Sequence, residues 1–84
     1  MKIRVRCFAA VRDIVGAGEL IVELPEGSTL GHLVQQLSSR FPRLQSLAGS
    51  VLFSVNREYA SVETQLAAGD EVAFIPPVSG GSGV

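Results

Sequence analysis

At 84 residues the chain has room for one domain, and a protein this short buries only about 60–65% of its unfolded surface, so one modest core is expected and no deep private pocket. An apolar fraction of 46% against 18% charged residues, with a mean hydropathy of +0.34, excludes a disordered polymer. Seven basic residues stand against eight acidic ones with no block of five like charges, which argues against a nucleic-acid arm or a polybasic membrane patch.

Lys2 to Phe8 alternates charged Lys2, Arg4 and Arg6 with apolar Ile3, Val5 and Cys7, the period of a strand with one wet and one buried face. Phe8 to Val15 lacks alternation and ends at Gly16-Ala17-Gly18; it reads as a connection holding a helical turn. Glu19 to Leu24 alternates again and stops at Pro25-Glu26-Gly27, so it is read as a second strand.

Ser28 or Thr29 is placed to N-cap a helix, since either hydroxyl accepts from an unpaired first-turn N–H. The apolar residues Leu30, Leu33, Val34, Leu37 and Phe41 recur at helical spacing, with Gln35, Gln36, Ser39 and Arg40 opposite, and Pro42 ends the run. Arg43 to Ser50 is expected to be a loop or short irregular turn. Val51 to Val55 is read as a third strand, Asn56-Arg57-Glu58 as a tight reversal into Tyr59-Ala60, and Leu66 to Asp70 as a further turn. Glu71 to Ile75 is the last strand. One clear helix among five strands predicts a two-layer α+β fold with a mixed sheet, because a doubly wound parallel sheet would need several crossover helices.

Chemistry-bearing residues are sparse. His32 has no second His or Cys at metal-ligand spacing and reads as a helix-surface residue, so no metal site is expected. Cys7 sits on the apolar parity of its strand and reads as a small buried hydrophobe. A lone cysteine forms no internal disulfide, and Lys2 to Cys7 lacks a signal peptide's apolar run; together these predict a cytoplasmic protein. Pro76, Pro77 and the glycines exclude Val72 to Val84 as a membrane span. Three of the nine glycines lie in the last five residues. From Pro76 to Gly81 the chain spans about 20 Å if extended. Such an arm suits delivery of a main-chain carboxyl group through a narrow channel; a frayed terminus or flexible linker accounts equally for its composition.

The segments Phe8 to Asp13, Val55-Asn56 and, above all, Leu66 to Gly81, with its Gly69-Asp70-Glu71-Val72-Ala73-Phe74-Ile75-Pro76-Pro77-Val78-Ser79-Gly80-Gly81 run, resemble the small subunit of molybdopterin synthase. The resemblance covers residues 2–81 in order. It implies a ubiquitin-like β-grasp domain over residues 1–76 and a flexible tail over 77–84. It also implies a sulfur carrier with no catalytic site or bound cofactor of its own. Gly81, with Gly80 before it, is the implied reactive terminus: an adenylyltransferase partner akin to ubiquitin-activating enzymes uses ATP to adenylate its carboxylate. Sulfur then displaces AMP to give a thiocarboxylate. The large synthase subunit, in an expected heterotetramer, uses it to build molybdopterin from a pterin precursor. Phe8, Arg12, Tyr59, Phe74, Ile75, Pro76, Pro77 and Val78 are the implied partner contacts.

One departure falls at the reactive end. The family pattern finishes at the second glycine, whereas Ser82-Gly83-Val84 follow here. Removal of these three residues, a tolerated extension, and loss of carrier function are the three readings, of which removal or tolerance is preferred. Sulfur carriage for thiamine or tRNA thiolation, and a ubiquitin-like binding module without chemistry, remain as alternatives.

Overall fold

A computed structural model describes residues 1–47 and 49–75. Strand β1 (Lys2–Cys7) is followed by helix α1 (Ala9–Val15), strand β2 (Glu19–Glu23) and helix α2 (Leu30–Arg40). A 3-10 stretch (Pro42–Leu47) then leads to β3 (Leu52–Val55), β4 (Glu58–Ala60) and β5 (Glu71–Ile75). The five strands form one sheet in the order β2-β1-β5-β3-β4. β1 and β5 run parallel, with Val5 opposite Val72 and Cys7 opposite Phe74. The other neighbours are antiparallel.

The alternation in β1 sends Ile3, Val5 and Cys7 inward, and β5 does the same with Val72 and Phe74. Leu30, Leu33 and Leu37 of α2 complete that core from the second layer. The helix starts at Thr29, not Ser28. The Thr29 hydroxyl accepts from the His32 backbone N–H at 3.3 Å, and His32 Nδ1 accepts from the Thr29 N–H at 3.0 Å. This is a capping box with histidine where glutamate or glutamine is usual. The Ser28 hydroxyl instead donates to the Pro25 carbonyl at 2.7 Å.

Two segments are more regular than their sequence suggests. The connection after β1 forms the seven-residue helix α1, closed by Gly16 at φ 87 with its N–H donating to the Arg12 carbonyl. Only Val11 of this helix is buried, so its sequence carries too short an apolar stripe to announce it. The loop after α2 winds into the 3-10 stretch because Leu44 must turn inward to the core. A mixed sheet grasped by one main helix, with the first and last strands parallel at its centre, is the ubiquitin-like β-grasp topology.

Candidate functional site

The face of the sheet turned away from α2 divides into two halves. On the β1–β2 half, Arg4 pairs with Glu19 at 2.9 Å, and Arg6 reaches Glu71 on neighbouring β5 at 3.7 Å. The basic face of β1 is therefore largely compensated by acids on the flanking strands. The other half is apolar. Register places Ile75 beside Leu52 and Ser54 between Ala73 and Tyr59, all with the parity opposite to the buried Val72 and Phe74. Tyr59 is 77% exposed, Leu52 55% and Phe8 41%, and Ile75 is half-buried. Ser54, Arg57, Tyr59 and Ile75 line a shallow concavity on this half.

Phe8 joins the same end of the sheet because β1 and β5 finish side by side. The Arg6 guanidinium stacks 5.5 Å from the centre of the Phe8 ring, so charged and apolar halves meet there. The chain turns from Phe8 into α1 through Ala9, whose φ is +48, a left-handed conformation that a side chain makes unfavourable. Arg12 of α1 lies beside Gly18 before β2, its Nε 3.8 Å from where a Cβ on that glycine would stand. Tyr59, Ile75 and Phe8 are thus brought to one surface, and Arg12 occupies the outer margin of that end.

Phe74 is corrected from contact residue to core. It is 3% exposed, and its ring meets Phe53 edge to face at 5.1 Å, since its parity on β5 points toward α2. It supports the sheet under the apolar half without reaching the surface. Leu52, by contrast, is part of the patch and went unassigned in the sequence. Alternation within Leu52-Phe53-Ser54-Val55 carried a signal, but only pairing with Ile75 tells which parity faces outward. Pro76, Pro77, Val78, Gly80 and Gly81, and with them the tail over 77–84, lie outside the described residues.

Beyond the β3–β5 ladder and the Asn56 N–H donating to the Glu71 carbonyl at 2.7 Å, one side chain ties the hairpin bearing Tyr59 to the start of β5. Asn56 donates from Nδ2 to Asp70 Oδ1 at 3.0 Å, and its Oδ1 accepts from the Glu71 N–H at 3.0 Å. Asp70 Oδ2 also accepts from the Ala67 N–H at 2.8 Å, closing the turn that launches β5. These bonds account for Asn56 and Asp70 within the Val55-Asn56 and Gly69-Asp70-Glu71 segments that the sequence singles out: they help to set the apolar half in place.

Among the described residues, no group of three or more His, Cys, Asp and Glu side chains could hold a metal ion. Cys7 is buried and burial pushes its thiol up from the usual value of 9.0, which disfavours the nucleophilic thiolate. His32 is engaged at the helix cap. What this surface can do chemically is bind: an apolar centre with aromatic anchors and a polar rim, at the end of the sheet where β5 hands the chain on to Pro76.

Residues 5–81 match the model of the ThiS family. A molybdopterin synthase sulfur carrier subunit of Mycobacterium tuberculosis is 42% identical over 82 residues, covering 96% of this chain and 99% of the relative. Among solved structures, SAMP1 from Haloferax volcanii superposes with a TM-score of 0.86 at 26% identity, covering 94% of this chain and 98% of that one. A molybdopterin converting factor subunit 1 from Pyrococcus furiosus, assigned as putative, gives a TM-score of 0.85 at 30% identity, covering 93% and 99%.

Proposed function

This chain belongs to the ThiS family, and we propose that within it the chain serves as the sulfur carrier subunit of a molybdopterin synthase. A relative of that name, 42% identical over 96% of this chain, carries the reading. The apolar half of the open sheet face supports it, because a carrier without catalytic groups must dock on partners that have them.

The chain's chemical contribution is one carbonyl group, that of Gly81. A carboxylate is a poor acyl donor, since its leaving group would be oxide. In the proposed cycle an adenylyltransferase partner directs a Gly81 carboxylate oxygen onto the α-phosphorus of ATP, and pyrophosphate leaves. Sulfur at the oxidation level of sulfide attacks the acyl carbon, a C–S bond forms, and AMP departs. The resulting thiocarboxylate sulfur attacks a carbon of the pterin precursor within the large subunit; the C–S bond forms as the C–O bond at that carbon breaks, and the oxygen leaves with its electron pair and takes up a proton. Water then cleaves the acyl–sulfur bond and returns the carboxylate. Two such transfers supply the two sulfurs of a dithiolene. The cycle requires hydrolysis of the Gly81–Ser82 bond, which frees the carboxylate.

Intact-mass measurement after incubation with ATP, the activating enzyme and a sulfide source tests the reading. Loss of Ser82-Gly83-Val84 followed by a mass gain equal to exchanging one oxygen for sulfur is expected. Conversion of the pterin precursor to molybdopterin with the large subunit then separates this pathway from thiamine or tRNA thiolation. A terminus that keeps its mass with the cognate activator leaves a binding module without chemistry.

A further inference from the structure

The β3–β4 hairpin turns through two residues, Asn56 and Arg57, between the paired Val55 and Glu58. Both have positive φ, 52 and 71, the signs of a type I′ turn, for which Asn-Gly is the favoured pair. Glycine at position 57 would adopt this conformation freely, whereas a residue with a Cβ resists it. Backbone strain beside a binding surface points toward a use for the side chain that causes it.

The Arg57 side chain lines the concavity of the apolar half with Ser54, Tyr59 and Ile75. The acids of the strands and turns around it are either engaged elsewhere or set on the other face of the sheet. Glu71 is the partner of Arg6, and Asp70 accepts from Asn56 and from the Ala67 N–H. Glu58 takes the opposite parity, across from Val55. Among the described residues only Arg4 and Arg6 form ion pairs, and of the basic residues left without one Arg57 is the one that lines the concavity beside Tyr59. An exposed guanidinium therefore stands uncompensated at the margin of an aromatic surface, and arginine beside tyrosine is a recurrent composition of protein interfaces.

We propose that Arg57 is a specificity residue of the docking surface, pairing through its guanidinium with a carboxylate that the large synthase subunit presents at the rim of the contact. This rests on the carrier reading, which supplies that partner. The rim position makes the pair a screened one: it steers association and fixes register on the partner more than it adds raw affinity.

Binding of the full chain to the large subunit, measured at about 50 mM and about 500 mM salt, tests the inference with three variants. Arg57→Gln removes the charge and keeps a Cβ; it is expected to weaken binding by about tenfold at low salt, with the gap closing at high salt. Arg57→Gly removes charge and strain together. It is expected to unfold at an equal or higher temperature than the parent while binding as weakly as Arg57→Gln, a split that a purely structural role would not produce. Tyr59→Ala, an exposed position, serves as the control for the surface itself. If Tyr59→Ala weakens binding and Arg57→Gln does not, or if the Arg57→Gln loss is the same at both salt concentrations, the carboxylate pairing is overturned and the carrier reading stands. If neither variant weakens binding, the docking surface and the inference fall together.

Discussion

The Cys7 thiol lies on the inner face of β1, opposite Phe74 across the parallel pair. Desolvation there penalises the thiolate, so the folded thiol titrates above its ordinary value of 9.0. A raised value means that the neutral form contributes to stability below the unfolded thiol's titration, and that this contribution is lost as pH rises through the folded one. Near pH 8 the folded chain is therefore expected to react with iodoacetamide at least about a hundredfold more slowly than the urea-unfolded chain, since labelling must await opening of the core. Equal rates would place the thiol at the surface. Its burial was legible from alternation alone. The part played by His32 was not: capping-box signatures are read from Glu or Gln at the third helical residue, and only the 3.0 Å contact from the Thr29 N–H to Nδ1 identifies the ring as the acceptor.

Periodicity predicts α2 to within a residue because Leu30, Leu33 and Leu37 must all reach one sheet. It fails for α1, where one buried residue in seven gives no stripe, and it leaves Leu52 undecided because faces are assigned by pairing, not by a single strand. The same limit separates Phe74 from Ile75, neighbours in the run whose parities send one inward and the other to the open face. Between elements, Asn56 joins the β3–β4 hairpin to the start of β5 through both ends of its amide. Asn56→Ala removes both side-chain bonds and gives up the asparagine tolerance for positive φ, so a loss of about 1–3 kcal/mol is expected. Hydrogen exchange should localise the change, with faster exchange at the Glu71 N–H while the inner β1 amides stay protected until global unfolding. Unchanged protection at Glu71 would mean that the ladder alone positions the hairpin.

Across the whole molecule, stability and reactivity are assigned to different stretches of chain. The core among the described residues is drawn from Ile3 to Phe74, and the hairpin network closes at Glu71. The proposed acyl group lies at Gly81, beyond both. The last described strand ends at Ile75, five residues before Gly80, so a chain ending at Gly80 retains every element of the described fold and is expected to keep it while losing the carbonyl that accepts sulfur. Terminal truncation that removes no core contact changes stability by about 0.5 kcal/mol or less, which for a domain of this size shifts Tm by less than about 4 °C. The same chain should still bind the large subunit through Phe8, Leu52, Tyr59 and Ile75, competing with the full-length protein, and yield no molybdopterin. Thermal unfolding, competition binding and product formation read the three consequences separately. A large drop in Tm would show that the terminal residues pack on the domain, and lost competition would move the docking determinants from the sheet into the terminal segment.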